Sequence, residues 1–162
     1  MAVVFDALGT VNVQSLATTP IDDTSLTIGS GSDRALLVAV VSQSAAAPVL
    51  TLTWDQGGTN QALTKVAENN DTGTSFAYCA IYALRNPISG NKTLRLDKSS
   101  GSGQVAFCGI SWTGVNQVSD AAAFTNAATN TGNSDTASVT ITSAFGNATM
   151  AVHGSATGIT SK

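Results

Sequence analysis

The residues in this sequence that could do chemistry are few and scattered. His153 is the single histidine. A nucleophile needs a base beside it and a third group to orient that base. No G-x-S-x-G turn supplies one, and the nearest stretch, residues 109–114, has the wrong spacing. We therefore expect His153 to lie on a surface or edge strand, and we expect a protein that is not an enzyme and has no catalytic residue.

The carboxylates fall near predicted turns. Glu68 and Asp71 lie near one turn, while Asp22, Asp23 and Asp33 flank another. A glycoside hydrolase needs two carboxylates that face each other across a cleft, and nothing in the spacing places these pairs in that way. The spacing matches no EF-hand loop, so calcium is the weaker alternative to simple solvation of the turns. We expect no cofactor and no metal.

The two cysteines, Cys79 and Cys108, lie in the middle of two long apolar runs. A buried thiol behaves as a small apolar side chain. A disulfide would need Cα atoms about 6 Å apart across neighbouring strands or facing sheets. Free thiols are favoured, with a disulfide as the alternative, and two cysteines with one histidine do not complete a structural zinc site.

Composition excludes several classes of function. Only 10% of residues are charged and the net charge is −3, so the chain lacks the clustered Lys and Arg that track phosphates in nucleic acid. The N-terminus lacks the features of a secretory signal, and no apolar run reaches membrane-spanning length. We expect no nucleic-acid partner, no membrane insertion and a tendency to self-associate, because weak net repulsion leaves apolar edges unopposed.

The apolar pattern predicts strands almost throughout. Residues 34–42, 75–84 and 104–113 are continuous apolar runs, which are typical of buried strands. Shorter β-prone runs complete the pattern at residues 3–6, 11–14, 25–28, 49–55, 62–67, 92–98, 137–142 and 148–153. Because residues 120–136 show little periodicity, we expect a long loop there, with a short strand or a turn of helix near residues 121–124. The fold class is all-β: an antiparallel, jelly-roll-like β-sandwich of about nine strands in one domain, 1–162.

The N-terminal residues 1–20 are predicted to form an extended arm or an edge strand. Such segments often bind neighbouring subunits, since an edge strand offers unpaired backbone groups. The candidate assembly residues are the apolar side chains of this segment: Val3, Val4, Phe5, Val11 and Val13.

Aromatic side chains offer a second candidate site. Trp54, Trp112, Tyr78, Tyr82 and Phe76 could form a platform for stacking sugars. All five lie inside apolar strands, however, and none lies at a predicted loop tip. Packing in the core is therefore the favoured interpretation.

Two stretches resemble a known family. These are YALRNPISGNKTL at residues 82–94 and ISWTGVNQ at residues 110–117, and the apolar run that begins at Arg34 fits the same pattern. They resemble the β-sandwich module of tailed-phage structural and appendage proteins and of some bacterial surface proteins, over roughly residues 28–143. The resemblance implies a fold rather than a reaction, since the family has no shared catalytic residues to transfer.

The resemblance implies a virion structural protein, a capsid decoration or tail appendage module that docks onto other virion proteins. It is expected to be homo-oligomeric and to be located in the virion, or alternatively at the bacterial cell surface. The alternative function is a carbohydrate-binding or adhesive module that recognises a host surface glycan. Its candidate residues are loop-tip amides: Asn69, Asn70, Asn116 and Gln117.

Overall fold

The computed structural model describes residues 2–14, 20–44, 46–70, 77–100, 103–131 and 138–154, which form an almost entirely β structure. Every pair of strands in these ranges is antiparallel. The strands are β1 Val4–Leu8, β2 Asn12–Gln14, β3 Ile21–Asp23, β4 Thr27–Ile28, β5 Ala35–Gln43, β6 Leu50–Trp54, β7 Gln61–Ala62, β8 Thr64–Asn70, β9 Ala77–Arg85, β10 Gly90–Asn91, β11 Leu94–Lys98 and β12 Val105–Thr113. One short helix follows, α1 Asp120–Ala123.

Pairing arranges the strands in a jelly-roll order. The large sheet has the order β1-β12-β5-β9-β8, and β2 continues β1 along the same side of β12. The second sheet has the order β3-β11-β6-β7, and the β4–β10 pair extends the ladder between β3 and β11. Four longer strands are each interrupted and count as two: β1 with β2, β3 with β4, β7 with β8, and β10 with β11. The eight strands that result alternate between the two sheets as in a jelly roll.

The two halves of one interrupted strand lie in different sheets. β7 pairs with β6 in the second sheet, whereas β8 pairs with β9 in the large sheet. Only Leu63 separates them, and its backbone N–H donates to the Leu52 carbonyl at 2.9 Å. The chain therefore passes from one layer to the other within a single residue.

The core lies between the two sheets because each strand presents alternate side chains to it. Along β5 the inward residues are Leu36, Val38 and Val40, and all three are fully buried. Leu52 and Trp54 of β6 face them from the second sheet within the same hydrophobic cluster. The Trp54 Nε1–H donates to the Ile88 carbonyl at 2.8 Å, which satisfies the one polar group of the buried indole.

The three longest apolar runs are strands, as predicted, and β5 lies between β12 and β9 in the middle of the large sheet. The short helix α1 confirms the predicted turn of helix, and the Ser119 Oγ caps it by accepting from the Ala122 N–H at 3.1 Å. In the described ranges no helix has the length or the apolar character needed to cross a membrane. The strand count is higher than expected, since interruptions divide several strands in two. Ile21–Asp23 is among the strands that were not predicted.

The predicted C-terminal hairpin, residues 137–142 and 148–153, is wrong. Residue 137 lies outside the described residues, and residues 138–154 contain no strand. Asparagine side chains take the place of a backbone ladder here: Asn126 Nδ2 donates to the Thr142 carbonyl at 2.9 Å, and Asn130 Nδ2 donates to the Ser138 carbonyl at 2.8 Å. These bonds join stretches of the segment through side chains where a hairpin would join them through backbone groups.

Candidate assembly surface

The N-terminal edge of the large sheet is formed by β1 and β2. Both pair with β12, through Phe5 opposite Trp112 and Val13 opposite Ala106. The pairing is irregular near Asp6, and Gly9 lies in the gap between the two strands. A Cβ on Gly9 would lie 3.2 Å from Asp23 Oδ2 and 3.3 Å from Leu26 Cβ. Glycine therefore lets this edge pass close to the second sheet.

Asp6 anchors the edge to both sheets. Its Oδ2 accepts from the Gly29 N–H at 2.9 Å and from the Ser111 hydroxyl at 2.6 Å. Ser111 is fully buried, so the carboxylate is turned towards the interior. Because Asp6 is the only charged residue between Ala2 and Gln14, the outward side of the edge carries no charged side chain.

The structure places four of the five candidate assembly side chains on the exposed surface of this edge. Val4, Phe5, Val11 and Val13 are all more than half exposed, and Val3 is half-buried. The Phe5 ring contacts Trp112 in an edge-to-face arrangement, with ring centroids 5.8 Å apart. Leu8, which sequence reasoning missed, is 59% exposed and belongs to the same surface. Its position in the β-prone N-terminal segment could have identified it as an edge residue.

The exposed edge is continuous with an apolar face of the large sheet. Residues directly opposite each other in a sheet share a face. Leu8 lies opposite Ile110, which lies opposite Leu37, which lies opposite Ala83. Apart from Gln43 and Arg85 at the ends of their strands, the outward residues of the three central strands are apolar or thiol side chains: Leu37, Ala39, Val41, Cys79, Ile81, Ala83, Ala106, Cys108, Ile110 and Trp112.

The C-terminal segment, residues 115–131 and 138–154, lies over part of this outer face. The Val3 N–H donates to the Gly146 carbonyl at 2.9 Å, and Asn69 Nδ2 donates to the Asn130 carbonyl at 2.7 Å. Between the segment and the sheet is a cavity of about 240 Å³. Its apolar walls include Leu37, Ile81, Trp112, Ile141 and Met150. The segment covers the middle of the face and leaves the N-terminal edge exposed.

Both cysteines lie on the outer face and are free. Cys79 pairs with Val41 and Cys108 pairs with Ala39, so the thiols point to the same side of β5 from opposite flanks. Burial raises the pKa of both thiols, and the nearby Asp23 carboxylate raises the pKa of Cys108 further. Neither thiol has the lowered pKa of a reactive cysteine.

His153 lies in the C-terminal segment and is exposed, not on the predicted strand. The part of the chain that the structure describes contains no group of three His, Cys, Asp or Glu side chains arranged for a metal. Asp22 instead pairs with Arg95, Glu68 pairs with Lys65, and Asp23 Oδ1 accepts from the Ser25 N–H at 2.8 Å. Asp71 lies outside the described residues.

The amides predicted to bind a glycan are largely engaged in the fold. Asn69 bonds the C-terminal segment, and Asn116 Oδ1 accepts from the Val118 N–H at 2.8 Å. Gln117 Nε2 donates to the Arg34 and Val115 carbonyls at 2.9 and 3.0 Å. Asn70 lies at the end of β8 and is half-buried. The amide groups of Asn69, Asn116 and Gln117 thus already serve loop structure, whereas the Asn70 Oδ1 is buried without a hydrogen-bond partner.

The aromatic side chains divide between the core and the outer face. Trp54, Tyr78 and Tyr82 are buried, as predicted, whereas Trp112 is half-buried on the outer face. Phe76 lies outside the described residues. In the described chain, therefore, these rings do not form an exposed platform for sugars.

The residues that carry the family resemblance lie together at one end of the sandwich. Arg34 Nε donates to the Pro87 carbonyl at 2.9 Å, and its Nη2 reaches Asn86 Oδ1 at 3.2 Å. Asn86 has a φ of 49°, in the left-handed region that Asn tolerates better than most residues. The Ile88 N–H donates to Gln61 Oε1 at 2.8 Å. These contacts are structural: they hold the loop that follows β9 against the start of β5 and against Gln61.

Comparisons with known proteins add no relative: no family model matches the chain, and neither the curated proteins nor the solved structures contain a match.

Proposed function

We propose that this chain is a non-enzymatic virion structural protein, a capsid decoration or tail appendage module that acts by docking onto other subunits. The observation that carries the proposal is the uncharged apolar edge formed by Val4, Phe5, Leu8, Val11 and Val13. Exposed apolar surface of this kind marks an interaction site when it is contiguous. Here the edge continues into the apolar outer face of the large sheet.

The low charge of the chain supports the same function. A protein with 10% charged residues has little electrostatic repulsion to keep an apolar edge apart from other surfaces. Burial of that edge in an assembly removes the exposed apolar area from water, which favours docking. The jelly-roll fold is used by viral capsid domains among others, so it permits this function without specifying it.

Co-sedimentation with purified capsids and, separately, with purified tails tests the proposal. The purified chain is expected to sediment with one of the two particles and to bind no sugar on a glycan array. Phe5→Asp is expected to weaken sedimentation at least tenfold, because it places a charge on the exposed edge. Val49→Asp is the matched control, since Val49 is equally exposed but lies before β6 in the other sheet.

Three results would count against the proposal. One is binding to neither particle by the folded wild-type chain. Another is saturable binding to a defined glycan that Phe5→Asp leaves intact, which would favour the carbohydrate-binding function. Equal losses in Phe5→Asp and Val49→Asp would also count against a docking role for this edge.

A further inference from the structure

The edge formed by β1 and β2 is open on the side away from β12. The order of the large sheet places these strands at its end, with no further strand on the outer side among the described residues. Beside the two strands, the Val3 N–H donates to the Gly146 carbonyl and the Thr10 N–H donates to the Ser25 Oγ. Along such an edge, alternate residues direct their backbone N–H and C=O groups away from the sheet. This open row of donors and acceptors is a template for another strand.

Charge distinguishes this edge from others in the described chain. The β8 edge of the same sheet carries exposed Lys65 and Glu68. The β3 edge of the second sheet carries Asp22. Charged side chains on an edge strand oppose pairing between copies, because a symmetric contact brings like charges together. On β1 and β2 the only charged residue, Asp6, is turned inwards by its bonds to Gly29 and Ser111.

We propose that β1 and β2 pair antiparallel with the same strands of a second copy around a two-fold axis, which joins the two large sheets into one. This inference deepens the proposed function and rests on it, since it names the first partner of the docking surface. A second copy suits the site because an antiparallel pair of identical strands is self-complementary in its backbone groups. The uncharged edge also meets no repulsion from its own copy.

Apolar side chains add to the backbone pairing. Phe5, Leu8 and Val13 lie opposite outward-facing residues of β12 and project on the outer face, where a second copy would cover them. The irregularity at Asp6 and the gap at Gly9 divide the edge into two short ladders. An edge contact of this length buries less than the roughly 1,600 Å² of a standard interface, so we expect a dimer with a Kd in the micromolar range.

Sedimentation velocity of the purified chain tests the pairing over a concentration range from about 1 to about 200 μM, which brackets that Kd. The wild-type chain is expected to pass from monomer to dimer. Pairing with the greatest overlap of residues 4–14 places the axis at Gly9, so Leu8 of one copy lies diagonally across from the partner's Leu8. Leu8→Lys is therefore expected to raise the dimer Kd at least tenfold.

A matched control and a charge reversal make the test specific. Val49→Lys introduces the same charge at a similar exposure, 57% against 59% for Leu8, and is expected to leave the Kd unchanged. An equimolar mixture of Leu8→Lys and Leu8→Glu is expected to regain association, because opposite charges then meet at the axis. Circular dichroism checks that each variant is folded, and since both side chains are exposed we expect no loss of structure.

Three results would overturn the pairing: a monomer at every concentration, a dimer that Leu8→Lys leaves intact, or equal weakening by Val49→Lys. The outcome is separable from that of the proposed function. A monomer that still sediments with capsids or tails overturns the dimer alone. A dimer that binds neither particle supports the pairing and contradicts the virion role.

Discussion

The outer faces of the two sheets differ in chemistry although their inner faces are alike. On the second sheet, Thr51 and Thr53 of β6 alternate with buried residues, and Arg95 and Asp97 of β11 lie beside them. On the large sheet, the corresponding outward positions are Leu37, Val41, Ile81 and Ile110, among others. A polar outer face is stable in water, whereas an apolar one needs a cover.

The apolar outer face of the large sheet has such a cover, so the molecule has a third layer on that side. The irregular C-terminal segment supplies the third layer over the middle of the large sheet. It does not reach the exposed side chains at the N-terminal edge. What remains uncovered there is the surface that we propose for docking.

The largest effect on stability is expected when a charged residue is placed on the apolar outer face of the large sheet. Ile81→Lys places a charge beneath the C-terminal segment and is expected to lower the free energy of unfolding by about 2–4 kcal/mol. Thr51→Lys places the same charge on the polar face opposite Asp97 and is expected to change it by less than about 0.5 kcal/mol. Urea denaturation measures both values. Equal losses in the two variants would mean that the faces do not differ in burial.

The labelling rates of the two free thiols measure how well the apolar face is shielded from water. Because burial raises the pKa of Cys79 and of Cys108, little thiolate is present near neutral pH. We expect labelling by a thiol-specific disulfide reagent at pH 7.5 to be at least several-fold slower in the folded chain than in urea. Cys79→Ala and Cys108→Ala assign the two rates. Labelling of folded protein at the unfolded rate would show that the face is open to water.

The smallest effect on stability is expected from an ion pair on the polar outer face of the second sheet, and its pH dependence can be measured. Arg95 hydrogen-bonds Asp22 through both carboxylate oxygens, at 2.7 Å each, and this lowers the pKa of Asp22. The pair therefore adds stability above the unfolded Asp pKa of about 3.9, and the contribution is lost as pH falls through the folded pKa. Since both side chains are partly exposed, the contribution is small.

Thermal melts from pH 6 to pH 3 compare the wild-type chain with Asp22→Asn. The difference in Tm between the two is expected to shrink as the pH falls below about 4. Salt is expected to reduce the difference at pH 6, because exposed ion pairs are screened. A difference that stays constant across this pH range would show that Asp22 acts through something other than its charge.

The sequence predicts the central strands well because burial on both faces leaves a continuous apolar run. Residues 34–42 were expected to form a strand, and β5 is Ala35–Gln43. The same run could not reveal what covers its outer side, since a third layer and a partner subunit demand the same side chains. This is why the role of Trp112 and Ile110 in the outer face was missed.

The C-terminal segment shows where the alternation of side chains misleads. Val139 and Ile141 alternate with polar residues as a strand would, and Ile141 lines the cavity beside the sheet. Alternation only requires that every second side chain be apolar, and an extended chain lying on a sheet meets that requirement without backbone pairing. Here the segment is held to itself by the side-chain amides of Asn126 and Asn130.

The candidate surface was predictable in part. Val3, Val4, Phe5, Val11 and Val13 were expected to be assembly residues because they are the apolar side chains of a predicted arm or edge strand, and all but Val3 are more than half exposed. The surface that they form carries no charge because the Asp6 carboxylate turns inwards. It does so because it accepts hydrogen bonds from Gly29 and Ser111, which are distant in sequence and could not be predicted. Whether these residues contact another subunit stays a prediction.

The passage of one strand between layers at Leu63 has a mechanical consequence. A force that slides one sheet over the other acts on both the β6–β7 and the β8–β9 hydrogen bonds, because β7 and β8 are continuous in the chain. Ladders pulled along their strands rupture as a group instead of one bond at a time. Because β7 and β8 are joined at Leu63, a lateral load on one sheet is passed through this residue to the ladder of the other.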